Sequence, residues 1–340
     1  MSLTSWLRRK LFAIRPRDMD FERMGARVDP EQVAGLQAIL DSARLGFNVA
    51  LADDRVEDLS ERVAREVAPG LRGFAHEGVG MCLALLDGVR DRRRVPRFFE
   101  RCIGSYDFFV PLGVGFALAR APWLRSGLEA RAARFPPAYD GLILNGYGFH
   151  DACFRSRGAL ERTPRPRGLS DLGARCLDHG IGRAVWFMCG GSPERIHAAV
   201  ARFEPERHQD LWAGLGTACA FAGRAHADEA GYAAVLGKLG ALVGPHRQAF
   251  EVGVVLAAEL ARRTRHPTRW VAQATDAFLG LSDVETADLA GRAWTAAHAA
   301  EPAGTFSTYA GFAQAIVEEL SGLPGRKRSQ ISVHVGGSHG

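Results

Sequence analysis

A Gly-x-Gly pair recurs along this chain at nearly constant distance. The pairs are Gly78/Gly80, Gly113/Gly115, Gly146/Gly148, Gly180/Gly182 and Gly214/Gly216, and their first glycines are spaced 35, 33, 34 and 34 residues apart. Looser copies stand at Gly46 (ARLGFNVA) and Gly253 (FEVGVVLA), and the clearest copy is 210–223, DLWAGLGTACAFAG. A fixed period of this size marks stacked supersecondary units rather than a single closed core.

Each helical glycine costs about 0.5–1 kcal/mol relative to alanine, so the pairs need a compensating role. Four residues after the first glycines stand Cys82, Ala117, His150, Ala184 and Ala218, and four after the second stand Ala84, Ala119, Ala152, Trp186 and Ala220. Residues i and i+4 share a helix face, so each unit presents two adjacent rows of small residues on which a neighbouring backbone can settle. A nucleotide-binding reading fits poorly, because no pair reads G-x-G-x-x-G and none follows a predicted strand. The expected fold is all-α, a helical-repeat (α-solenoid-like) array with a unit of about 34 residues. It forms one domain over residues 28–320, preceded by a basic amphipathic segment at 1–27 and followed by a flexible tail at 321–340.

Local punctuation supports helices throughout. Asp29-Pro30 opens a helix over 28–51, Ser192-Pro193-Glu194 opens another, and further helices are expected at 123–134, 228–242, 268–279, 283–300 and 308–320. Strand alternation is scarce apart from ISVHV near the end.

The small-residue rule has exceptions that bear on function. His150 and Trp186 occupy slots that other copies fill with Cys or Ala, and Glu77, Asn145 and His179 stand directly before first glycines. A close-packed seam that admits such groups must open locally or pair them. Stacked units would set Glu77, Asn145, His150 and His179 side by side.

Composition narrows the classes. No run of 18 apolar residues exists, so no membrane span is expected. A net charge of +5 is too diffuse to indicate nucleic-acid binding. The six cysteines form neither C-x-x-C nor a zinc-finger spacing, which favours a reducing cytoplasm and free, compact thiols. No metal constellation and no cofactor motif is found. At the start, Leu3, Leu7, Leu11 and Ile14 form a stripe beside Trp6. That stripe is expected to cover one end of the array, and it also gives residues 3–15 a means of weak membrane-surface contact. The arginine- and proline-rich stretch 162–168 is expected as a loop on one face.

At GYGFHDACF (146–154), GIGRAVWF (180–187) and 210–223 the chain resembles a bacterial family of unknown function, the UnbL type, found beside enediyne polyketide synthases. The likeness extends to LRRKLFAIRPRDMDFERMGARV (7–28) and RGFAHEGVGMCLALLD (72–87), and so to most of residues 5–300. Cys153, Arg155 and the 162–168 stretch depart from the family pattern. The resemblance implies an accessory protein in enediyne or related polyene biosynthesis, which binds or processes a linear polyene intermediate or its acyl carrier. The alternative is a non-catalytic helical-repeat scaffold joining other pathway proteins. Carried onto this chain, it points to His150, Glu77 and Asp178 for proton transfer. Arg183, Trp186 and Asp151 are the residues it points to for substrate contact, with Asp210 also at a motif position; the polar exceptions of the repeat add Asn145 and His179, while Trp212 reads as a core anchor. In chemical terms, His150 can move a proton near neutral pH, Arg183 can grip a carboxylate or thioester oxygen, and Trp186 can stack on a conjugated chain.

Overall fold

The computed structural model describes residues 10–323 except 11, 91, 224–227 and 301. Leu3, Trp6, Leu7 and Leu11 of the N-terminal stripe and the ISVHV stretch lie outside the described residues. Among the described residues there is no strand. The helices are α1 Phe21–Met24, α2 Pro30–Ala52, α3 Leu59–Glu66, α4 Arg72–Val89, α5 Arg94–Cys102, α6 Phe109–Arg120, α7 Leu128–Ala132, α8 Asp140–Phe154, α9 Asp171–Met188, α10 Pro193–Val200, α11 His208–Phe221, α12 Glu229–Leu242, α13 Arg247–Arg263, α14 Arg269–Leu279, α15 Asp283–Ala299 and α16 Ser307–Ser321.

Most boundaries follow local rules. Ser192, Asp228 and Thr268 cap the helices that follow them, and Ser282 with Glu285 forms a capping box ahead of α15. Two expectations differ. Asp29 stands at the N-cap of α2, but its carboxylate takes the Arg195 guanidinium at 2.8 and 3.1 Å instead of the helix amides. The helix expected over 123–134 shrinks to α7, because Pro122 opens a 3-10 turn and Gly127 adopts φ 66°.

The glycine-bearing helices α2, α4, α6, α8, α9, α11 and α13 pack each against the next. α4, α6, α8, α9 and α11 are apolar around most of their circumference and buried accordingly. Shorter helices such as α3, α5 and α14, buried on one side and exposed on the other, lie beside them.

The glycines sit at the crossings in a fixed register. A Cβ built on Gly78, Gly113, Gly146, Gly180 or Gly214 would lie 1.8–2.1 Å from the carbonyl oxygen of Ala43, Glu77, Leu112, Asn145 or His179 respectively. From Gly113 onward, each of these carbonyls belongs to the residue just before the first glycine of the preceding helix. The second glycine of each pair meets the following helix: Gly115 lies against Ile143, Gly148 against Leu177 and Gly182 against Leu211. Each pair thus admits one backbone on either side, and no side chain fits in either place.

The row also curls. Glu77 on α4 and Arg183 on α9 are three crossings apart, yet their side chains meet at 3.2 Å. At about 8–10 Å per packed helix, a straight row would hold them beyond the reach of two side chains. Phe221 of α11 likewise lies 5.4 Å from Phe74 of α4, and Arg263 of α13 reaches Asp107, just ahead of α6, at 2.7 Å. The inner face is therefore enclosed by the row. The N-terminal segment crosses one end, where the Asn48 side-chain amide accepts from the Ile14 N–H at 3.1 Å and donates to the Ile14 carbonyl at 3.0 Å.

Candidate functional site

The largest concentration of buried polar groups on the inner face begins at Arg183. Its Nη1 donates to Asn145 Oδ1 at 2.8 Å, its Nη2 donates to Glu77 Oε1 at 3.2 Å, and its guanidinium lies 5.1 Å from the Phe149 ring centre. Asn145 in turn donates to the Tyr309 hydroxyl at 3.4 Å, which lies 3.4 Å from His179 Nδ1; His179 Nε2 contacts Thr217 Oγ1 at 3.2 Å. The result is a continuous polar run, Glu77–Arg183–Asn145–Tyr309–His179–Thr217.

Burial dominates the electrostatics. It pushes the Glu77 carboxyl up to about 7 against the pull of Arg183. It lowers His179 to about 3, with Arg183 acting in the same direction, and it raises the Tyr309 hydroxyl. His179 and Tyr309 are therefore neutral at physiological pH, and Glu77 is poised between its two forms.

A pocket opens against the Glu77–Arg183 pair. Phe47, Phe74, Phe116, Phe149 and Phe187 line it, with His150 on one wall and Ile14 and Met19 of the N-terminal segment at its edge. It is narrow, leaving about 60 Å³ for the centres of water-sized spheres, so it suits a thin or flat group. His150 lies between Phe116 and Phe154, at ring-centre distances of 6.2 and 4.8 Å. Its Nδ1 faces Asp151 Oδ1 at 3.9 Å, too far for a hydrogen bond, and neither atom has a hydrogen-bond partner among the described residues. Burial holds the His150 imidazole below its ordinary value, with Asp151 opposing. A neutral imidazole with one unengaged nitrogen, beside a carboxylate that Arg155 holds at 2.8 Å, has the means to accept a proton.

Three of the predicted residues, Glu77, His150 and Arg183, thus line this pocket, with Asn145 bonded to Arg183 and Asp151 behind His150. His179 belongs to the far end of the polar run. There it lines a second narrow pocket with Tyr309, Asp210 and apolar residues of α13 and α16.

Two residues are placed elsewhere. Trp186 is fully buried and donates its indole N–H to the Ala222 carbonyl at 3.2 Å, so its ring serves the packing and does not face the pocket. Asp178 is clamped by two arginines. Arg207 Nη2 reaches it at 2.7 Å, and Arg165 holds it from the 162–168 stretch, so part of that stretch folds back onto the row. Asp178 and Arg183, five residues apart on one helix, do not pair with each other: Asp178 takes Arg207 and Arg165, whereas Arg183 takes Glu77. Asp178→Asn is expected to destabilise the fold by about 2–4 kcal/mol, because buried Arg207 then keeps only the exposed Glu204, at 3.3 Å, as a counter-charge. Per folded molecule, the variant should bind ligand as the parent does; a denaturant melt combined with a binding titration checks both.

Cys153, three residues from His150, is buried, and burial raises its thiol far from the range of a reactive nucleophile. Among the described residues no group of three or more His, Cys, Asp or Glu side chains could hold a metal ion, and no helix is long and apolar enough to cross a membrane. Sequence reasoning missed Tyr309, which lies in α16 outside the glycine pattern, and the phenylalanines that form the pocket wall. The one available signal was Phe149, which directly precedes His150 within a glycine-pair motif.

A family model described as protein of unknown function (DUF1702) matches residues 3–320, so the chain belongs to that family. Comparison with curated proteins and with solved structures finds no match.

Proposed function

We propose that this member of the DUF1702 family binds a thin, conjugated, largely apolar chain in the phenylalanine-lined pocket, as an accessory protein of enediyne or related polyene polyketide biosynthesis. The observation that carries the reading is a buried cation at the wall of an aromatic pocket. Six phenylalanines, Phe154 among them, give a flat chain an aromatic lining, and Arg183 supplies one fixed point for a polar end. The likeness of the 146–154, 180–187 and 210–223 motifs to the UnbL type directs the choice of a polyene. The same likeness makes an acyl carrier or another pathway protein the partner.

The recurring register of the glycine crossings supports a helical-repeat array with a unit of about 34 residues, curled around the binding face. Six buried free thiols fit a reducing compartment, and the cytoplasm is the proposed location. His150 is the proposed proton acceptor, since it lines the pocket and burial keeps its imidazole neutral.

Titrating the purified chain with a conjugated tetraene checks the reading. Binding should produce a red-shifted, vibronically resolved absorption band, and Phe149→Ala should weaken affinity about tenfold, as expected for loss of about 1–2 kcal/mol of stacking. In a producing cell, His150→Ala should abolish product while pathway assembly stays intact. Unchanged product would favour the scaffold alternative.

A further inference from the structure

Arg183 divides its guanidinium between two acceptors of different quality. The contact to Asn145 is 2.8 Å, whereas the contact to Glu77 is a single bond of 3.2 Å. The strongest guanidinium–carboxylate pairs are two-pronged and about 2.7–2.9 Å long. Glu77 is therefore a weakly seated partner, and it lines the pocket beside the arginine.

Resting on the reading of this pocket as a site for a conjugated chain, we infer that the ligand ends in a free carboxylate that takes the place of Glu77 on Arg183, leaving Glu77 behind as a neutral acid. The exchange balances: one anion enters, Glu77 takes up one proton from solvent, and the buried region keeps one positive and one negative charge. A carboxylate entering without that proton would leave two anions on one buried cation. A thioester on a carrier brings no anion and gains little from Arg183, so the preferred ligand is a released acid and not a carrier-bound chain.

Glu77 is well placed for this, since burial already brings its carboxyl to about 7. The other charged or titratable groups lining the pocket are Asp18 of the N-terminal segment, Arg44 of α2, Arg120 of α6 and His150 of α8. His179 and Tyr309 lie behind Arg183, beyond Asn145. Of all these, Arg183 is the charge that acts on Glu77. His150 and His179 are both kept neutral by burial.

The test titrates the full chain with a fluorescent conjugated tetraenoic acid (parinaric acid) and with its methyl ester from pH 6 to pH 9. Proton uptake is read from calorimetry in two buffers of different ionisation heat. The acid should bind with constant affinity below about pH 7 and lose about tenfold per pH unit above it. Uptake near pH 8 should approach one proton, while the ester binds more weakly and without pH dependence. In Glu77→Gln the acid's affinity should be flat over the whole range; a retained tenfold slope would place the proton elsewhere and overturn the inference. If that variant does not fold, the parent's proton uptake decides alone. Acid and ester binding alike at every pH, with no uptake, would overturn the carboxylate exchange and leave the pocket reading standing. Failure of both to bind would overturn the pocket reading and this inference with it.

Discussion

Replacing Gly253 with alanine is expected to destabilise the protein by about 3 kcal/mol or more, while the same replacement at Gly237 stabilises it by about 0.5–1 kcal/mol. Both glycines lie within helices, so intrinsic propensity favours alanine at each. Their surroundings decide the sign. A Cβ on Gly253 would lie 2.0 Å from the Ala213 carbonyl oxygen and 2.6 Å from the Thr217 amide nitrogen, both backbone atoms of a packed helix. Neither can rotate away, so the helices α11 and α13 must part along their crossing and lose dispersion contacts on both sides. Gly237 has nothing within 4 Å of a built Cβ, and there the substitution only reduces the freedom of the unfolded chain. Chemical denaturation of the two variants checks the pair. Equal effects would mean that the glycine crossings are looser than their backbone distances require.

Acidification should destabilise the protein, with stability falling by about 1.4 kcal/mol or more per pH unit between about pH 6.5 and pH 5. Three buried histidines carry this effect. Burial lowers His76 to about 4 and His179 to about 3, and it lowers His150 as well. Their folded values lie below 6.5, so the stability they contribute is fully present above that pH and is lost as pH falls, when the unfolded chain takes up the protons that the folded chain refuses. Glu77 works in the opposite sense. Its folded value is raised, so between about 7 and 4.5 the folded state binds the extra proton and gains from acid. The two histidines held at about 4 and 3 against the one raised carboxyl leave a net one proton, or about 1.4 kcal/mol per pH unit, and the lowered His150 adds in the same direction. Urea midpoints at pH 7.5, 6.5 and 5.5 measure the slope. His76→Gln should lower it by about 1.4 kcal/mol per pH unit; an unchanged slope would remove His76 from the explanation. His76 is the most informative choice because it lies outside the candidate site, stacked on Tyr106 at 3.8 Å and bonded to the Arg72 carbonyl and Ser60.

The chain by itself determined that glycine pairs mark helix crossings, where most of the helices lie, and that Glu77, Asn145, His150 and His179 stand on neighbouring crossings. These are properties of period and register: residues directly before a glycine, or four or five beyond it, inherit the geometry of a crossing wherever the crossing is. The boundaries of α2, α10, α12, α14 and α15 were readable for a similar reason, since a cap is decided within a few residues.

Only the tertiary structure decided which polar groups meet. Asp178 and Arg183 share one helix, yet they take partners on opposite sides, because five residues turn a helix far enough to point them at different neighbours. The curl of the row brings Glu77 to Arg183 across three crossings, and no spacing in the sequence encodes that angle. Trp186 occupies a slot equivalent to those of small residues, but its indole finds the Ala222 carbonyl in the interior and not the pocket. Tyr309 entered the site from a helix with no repeat signature. A repeating pattern fixes contacts between neighbours, whereas the closure that makes a pocket is the accumulated sum of many small crossing angles and belongs to the whole chain.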